Sequence, residues 1–447
     1  MIGTFDTSRR EVTIVGAGIA GMLAAYALDR KGYEVTLLEE RESAGGLIQT
    51  VQTEYGMAER AAHSLLASPA VVEFCRELGV ELAEVRPDSR ARFIVRDGRL
   101  RKFPLGIGET AGALRRAAFA RAGADTSDLD SWGRTHLGDA AVEYLLTPFV
   151  RGIYGVQPAE LGVEAAFPVL SVPQGRTLLG TMLGIAIRRP SKNGNGNGAS
   201  HGRAASNGHG NGQGNGRKRM VAPRFGMGQL TARLERRLEE RLGARFRRGV
   251  RVEEVPDAPN VVLATPAHVA AALLEASAPE LSRALSGIVY TPIVSVTAFY
   301  PDSALTRPVK GVGALVPAKE GRKSLGILFT SSSFEGRVTD ESRYASFAVL
   351  LGGSAQPGWA GATDAEIAEA VRGEIEELLG VRGDPLHIVI SRWPRAIPQY
   401  SVALPSVWRA ARETWCAAPG RLLFGNYTGQ VSLRGMVESA SSSRVPT

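Results

Sequence analysis

A chain of 447 residues with 44% hydrophobic content has room for two or three domains and the balance of an ordinary globular protein. Two cysteines, Cys75 and Cys416, match neither a metal spacing nor a disulfide framework, and they fit a reducing, cytoplasmic setting. The net charge of +8 comes with no nucleic-acid recognition motif, so nucleic acid is excluded as an expected partner.

No secretory leader is expected from the opening "MIGTFDTSRREVTIVG". A strand at 12–15, a glycine turn, a helix at 20–30 and a strand at 34–39 form a βαβ unit. Residues 86–122 carry ten Arg or Lys against three acids, and the patterns from about 106 to 189 are mainly helical. "SWGRTHLGDAAVEYLLTPFVRGIYG" has the apolar spacing of a buried helix ending at Gly152 or Gly155. The apolar run at 178–187 is too short to cross a bilayer, and it reads either as a core helix or as one lying on a surface. Residues 191–217 contain nine Gly, six Asn and no large apolar side chain, so a disordered loop is expected there. Beyond it come a helix ("GMGQLTARLERRLEERLG") and a strand, turn and helix ("VVLATPAHVAAALLEA"). A strand-rich stretch covers 288–353, followed by a helix ("DAEIAEAVRGEIEELLG") and a short strand ("HIVISRW"). The end, "RLLFGNYTGQVSLRGMVESA", reads as strand, loop and helix.

Gly16, Gly18 and Gly21 fit G-x-G-x-x-G between a strand and a helix. The first permits a tight turn and the second lets the backbone approach a pyrophosphate. The third permits close packing, with Ile19 and Ala20 at the helix start that faces the phosphates. Glu39, followed by Glu40, ends the next strand, where an acid can bind ribose hydroxyls. A second glycine pair, Gly45 and Gly46 before Leu47, is not needed for NAD. The arrangement V-x-L-L-E, a charged linker, then G-G-x-I-x-T resembles the FAD fingerprint of the flavin amine oxidase superfamily.

Within that superfamily the chain resembles the protoporphyrinogen oxidases over nearly its whole length. "GGLIQT", "LGDAAVEYLLTPFVRGIYGVQPAELGVEAAFP", "LGILFTSSSFEGR", "RWPRAIPQY" and "LLFGNYTGQVSLRG" carry the likeness. There are departures. The family's Gly-Pro and polar or basic residue after the glutamate are Ala61, Ala62 and His63; its basic residue after the double glycine is Leu47; its F-x-G-G-M is Phe225, Gly226, Met227, Gly228. Only five residues separate Val255 from Val261, where the family has a longer strand-turn-strand.

The resemblance implies an α/β fold: a Rossmann-like FAD-binding domain, a mixed-sheet substrate domain and a helical subdomain. The expected divisions are 10–85, 218–268 and 411–441 for FAD, 86–190 for the helical, membrane-facing part, 191–217 for the loop and 269–410 for the substrate sheet. It implies non-covalent FAD held by the two glycine motifs, Glu39, Glu40, Val250, Trp393, Asn426, Gly429, Val431 and Ser432. It implies a porphyrinogen substrate, protoporphyrinogen IX or coproporphyrinogen III, lined by His63 and Arg92. The flavin carries the chemistry, so no side chain is assigned as catalytic and no metal is expected. Dioxygen or another acceptor reoxidises the flavin. The basic stretch and the apolar run suggest weak peripheral membrane contact. Two other readings stand beside this one: an amine oxidase or desaturase acting on another apolar substrate, and a weakly catalytic FAD-binding paralogue serving as a partner protein. Oligomeric state is left open.

Overall fold

The computed structural model describes residues 1–123, 126–187 and 219–441. The Gly/Asn-rich stretch expected to be a loop lies outside the described residues.

The opening βαβ pattern forms strand Glu11–Val15, helix Ile19–Arg30 and strand Glu34–Leu38. They join Phe246–Arg247, Asn260–Leu263 and Arg421–Leu423 in a five-stranded, all-parallel sheet. Its strands are buried on both faces, as a parallel sheet requires. Helices Ile19–Arg30, Pro69–Glu77, Met227–Leu242 and Leu433–Ser441 share one core with it. Helices Ala267–Leu273 and Pro279–Ser286 share another core with its strands, so this stretch, grouped in the sequence with the second sheet, covers the first instead.

A seven-stranded mixed sheet holds His387–Pro398, Tyr290–Pro301, Tyr344–Gly352, Ser324–Leu328, Gly313–Leu315, Arg92–Arg96 and Arg99–Arg101, in that order. The last two fall in the stretch grouped with the helices. They sit in this sheet because Arg92–Ile94 pair in parallel with Gly313–Leu315. The terminal strand runs to Pro398, longer than "HIVISRW"; it lies at the edge, where Pro394 needs no inner ladder bond.

Alternation divides the faces of this sheet. Val294, Val296, Ala298, Ile327, Val349 and Leu351 point to the outer core with helix Asp364–Leu379. The inner face is mixed, with Ser and Thr on the first two strands, Leu and Gly across the middle and Arg92 beyond them. One row across it reads Ser391, Ser295, Leu350, Gly326, Leu315, Ile94; the next reads Thr297, Ala348, Leu328, Gly313, Arg92.

The segment expected to be one buried helix is broken into Leu129–His136, Asp139–Ala141, a π-type turn at Val142–Leu146 and Thr147–Tyr154. Gly138 at φ +88° starts a new direction, and Pro148 lacks the N–H that would continue an α ladder. The last helix stops at Gly155 in the left-handed region, as expected. A Cβ on Gly152 would lie 2.5 Å from Leu315, and one on Gly155 2.9 Å from Ile293. These two glycines therefore set this helix directly on the inner face.

Candidate cofactor and substrate site

The two glycine motifs touch. Gly45 N–H donates to the Ala17 carbonyl at 2.9 Å, Gly18 and Gly45 form a parallel bridge, and a Cβ on Gly46 would meet Gly18 Cα at 3.3 Å. Gly16 has φ +97°, and a Cβ on Gly21 would lie 1.8 Å from the Gly16 carbonyl oxygen, so neither position accepts a side chain. A Cβ on Gly18 would meet nothing within 4 Å, so the backbone there is open to a ligand. The Glu39 carboxylate accepts from Ala17 N–H at 2.6 Å and lies directly beneath this loop. Val250 N–H donates to the Glu39 carbonyl. Ile19 and Ala20 begin the helix; Leu47 is half-buried beside the second glycine pair; Glu40 is exposed and pairs with Arg251.

The second glycine pair is held by helix Met227–Leu242. Thr50 Oγ1 accepts from Gly228 N–H, Glu59 Oε1 accepts from Met227 N–H at 2.8 Å, and Thr231 Oγ1 donates to the Ile48 carbonyl. The left-handed Gly226 at φ +93° lets Thr50 approach: a Cβ there would sit 2.5 Å from it.

Glu59 also forms an ion pair with Arg337 at 2.9 Å, both about 4% exposed or less, and accepts from Thr50 Oγ1 at 2.6 Å. Burial raises the Glu59 carboxyl pKa and lowers that of Arg337, and the attraction between them works against both shifts. This pair locks the hairpin Thr50–Gln52/Met57–Glu59 to the segment after Ser324–Leu328.

The loop after Glu59 docks on two serines that face each other across neighbouring strands. Arg60 Nε donates to Ser391 Oγ at 3.3 Å, and His63 Nε2 contacts Ser295 Oγ at 3.3 Å. Trp393 Nε1 donates to the Arg60 carbonyl at 2.7 Å, and the Arg60 guanidinium stacks over the Trp393 indole. Arg60 Nη1 donates to Gln49, which reaches back to the Gly46 carbonyl, so an unbroken chain of contacts joins the glycine loop to the inner face. His63 lines a small cavity with Thr297, Leu328, Thr330, Ser333 and Arg337. Burial and then the Arg337 charge push its imidazole down to about 4, so it is neutral at pH 7. Its Nδ1 is buried without a partner among the described residues.

Arg92 lies at the far end of this face and is exposed. The structure does not bring it near His63: four strand spacings of about 4.8 Å put their anchoring strands roughly 19 Å apart. Asn426, Gly429, Val431 and Ser432 follow the strand Arg421–Leu423, between it and the last helix. Ser432 Oγ accepts from Gly435 N–H as an ordinary cap, and that helix packs on Ile19–Arg30. Tyr400 is fully buried against Tyr154 and Trp408 and donates to the Asn426 carbonyl at 2.6 Å. Sequence reasoning missed Arg60, Gln49, Ser295, Ser391 and Arg337; the strand alternation of "SVTAF" and "ISRW" was the signal for the two serines.

These residues suit FAD: an open backbone approach at Gly18, an acid beneath the loop, and a second glycine loop pressed on the first. The chain matches the flavin containing amine oxidoreductase family over residues 19–443. It is 26% identical over 487 residues to protoporphyrinogen oxidase 1, chloroplastic, of Arabidopsis thaliana, spanning 98% of this chain and 88% of the relative. It is 30% identical over 470 residues to the coproporphyrinogen III oxidase of Propionibacterium freudenreichii subsp. freudenreichii, spanning 93% and 88%. In fold it is similar to cyclohexylamine oxidase from Brevibacterium oxydans IH-35A, with TM-score 0.65, 16% identity and 97% of each chain covered. The chain belongs to the flavin containing amine oxidoreductase family and is an FAD-dependent oxidoreductase of the protoporphyrinogen oxidase type.

Proposed function

We propose that the chain dehydrogenates a porphyrinogen, protoporphyrinogen IX or coproporphyrinogen III, to the porphyrin in heme biosynthesis. The observation that carries this reading is the inner face of the seven-stranded sheet, which has hydroxyl groups beside Arg60 and His63 at one end and Arg92 at the other, with helix Thr147–Tyr154 over its apolar middle. Similarity over nearly the full length to oxidases of both substrates supports it. FAD, when bound, would supply hydride-accepting chemistry, with dioxygen or another molecule as the final acceptor.

The chain's residues bind and orient. The backbone at Gly16, Gly18, Ile19, Ala20 and Gly21 cradles the pyrophosphate, and Glu39 accepts from ribose hydroxyls. Gly45, Gly46, Leu47, Glu40 and Val250 complete the nucleotide side. Trp393, Asn426, Gly429, Val431 and Ser432 would hold the isoalloxazine side of the cofactor. His63 lines its small cavity as a neutral group, and Arg92, four strands away on the same face, attracts carboxylates separately. FAD is non-covalent: Cys416 is buried in the core and its thiol is pushed up to about 12 by burial, so it supplies no thiolate for a thioether.

A peripheral membrane contact accompanies this activity. Helix Ile107–Phe119 has no buried residue, with Ile107 92% and Phe119 76% exposed. It touches helix Leu178–Ile187, whose Leu179 and Leu183 are also exposed. Exposed Arg101 and Lys102 precede helix Ile107–Phe119 and exposed Arg115 and Arg116 lie within it, a pattern suited to an anionic bilayer surface. Among the described residues no helix is long and apolar enough to cross a membrane.

The test is aerobic turnover with each porphyrinogen and with cyclohexylamine. Porphyrin fluorescence should rise with at least one porphyrinogen above the spontaneous rate; oxidation of the amine alone would overturn the reading.

A further inference from the structure

Arg60 is a half-buried guanidinium whose side-chain contacts among the described residues are neutral: Ser391 Oγ, the Gln49 side-chain oxygen and the Trp393 indole face. Among the described residues no carboxylate lies within ion-pair range of it. Its neighbour Glu59 is committed to Arg337, Thr50 and Met227. A half-buried cation without a counter-charge has room for an anion, and a guanidinium presents more donors than two neutral acceptors can use. His63 does not supply the positive charge at this end of the face, because its imidazole is held down to about 4. The charge here therefore resides on Arg60, at the junction of the glycine loop and the inner face.

We propose that Arg60 is an anchor for a substrate carboxylate. It fixes one carboxylate of an acid-bearing ligand beside Trp393, Gln49 and Ser391. The inference rests on the porphyrinogen reading for the identity of the ligand, but not for the existence of the anion site.

Arg60→Leu and Arg60→Gln are compared with wild type in the flavin-loaded enzyme; the second keeps a hydrogen-bonding side chain without the charge. For coproporphyrinogen III, KM should rise by about tenfold or more in both variants with kcat nearly unchanged, the loss expected for one charge-assisted anchor. For its tetramethyl ester, wild type and variants should differ by less than about twofold, since no charge is met. Benzoate, a planar carboxylate with nothing of the macrocycle, should perturb the flavin absorbance of wild type and not that of the variants. An equal KM change for acid and ester, or a benzoate response retained in both variants, overturns the proposal. Loss of flavin in Arg60→Gln overturns it too, because the guanidinium would then serve the cofactor. A benzoate response that depends on Arg60, in a protein that oxidises no porphyrinogen, supports the anion site and overturns the porphyrinogen reading alone.

Discussion

The glycine-loop half of the site and the inner face of the seven-stranded sheet are built by different means. The first is made of backbone: Gly16, Gly18, Gly21, Gly45 and Gly46 matter for the side chains they lack, and most of its parts fall between residues 11 and 50. The second is made of side chains from distant stretches: His63 and Arg60 on a loop, Ser295 on a central strand, Ser391 and Trp393 on the edge strand. The difference teaches where each can change. A backbone cradle tolerates almost no substitution but leaves the ligand's other end free. A side-chain surface can exchange residues, as at Ala61–His63, and so redirect which substrate edge is held.

The largest break should come where the two halves are pinned. Arg337→Ala leaves Glu59 buried and unpaired, which should cost about 3–5 kcal/mol of stability in denaturant titration. A loss under about 1 kcal/mol would mean that the pair does not lock the halves together. A smaller effect separates the cradle from its surroundings. Glu39→Ala should weaken FAD binding by about 1.5–3 kcal/mol. The exposed Arg41, through Arg41→Ala, should cost under about 1 kcal/mol. Equal FAD retention in dialysis would remove Glu39 from the cofactor assignment.

The surface half should respond to pH where the cradle does not. The folded-state pKa of His63 is depressed from 6.5 to about 4, so its neutral form favours folding. That contribution is complete above pH 6.5 and is lost as pH falls toward 4. His63→Asn should therefore flatten the acid limb of the stability profile relative to wild type by up to roughly 1–3 kcal/mol. Superimposable profiles would mean that the imidazole titrates normally. The smallest effect concerns the exposed helices. Co-sedimentation with anionic vesicles should occur at low salt and weaken at high salt, each basic residue near the surface contributing about 1 kcal/mol. Leu114→Asp should reduce it, and unchanged binding would remove this face from the contact.

The cradle was legible in the sequence because its logic is local: glycine spacing, an acid ending the second strand and a second glycine pair all precede residue 51. The α/β class followed from the same stretch. The inner face was not legible as a site. Ser295 and Ser391 acquire meaning only through a register that places them opposite each other 96 residues apart. Arg60 was passed over beside the more unusual Ala61–His63, since nothing local says that its guanidinium meets no acid. Residues 92–101 read as part of a basic, helix-leading stretch, because a parallel pairing with Gly313–Leu315 leaves no trace in either segment. The single expected helix before Gly155 is broken at Gly138 and continues from Asp139 to Tyr154 with a π-type stretch ahead of Pro148; both residues are visible in the sequence and were outweighed there by apolar spacing.

The central claim is that the inner face delivers a porphyrinogen to bound FAD. Anaerobic mixing of the purified flavoprotein with coproporphyrinogen III or protoporphyrinogen IX, followed by flavin absorbance and porphyrin fluorescence together, tests it most directly. The account predicts that the flavin bleaches with at least one of them, that porphyrin fluorescence appears at the same rate, and that air restores the colour. An oxidised flavin that stays yellow with both, while dithionite bleaches it normally, would contradict the account.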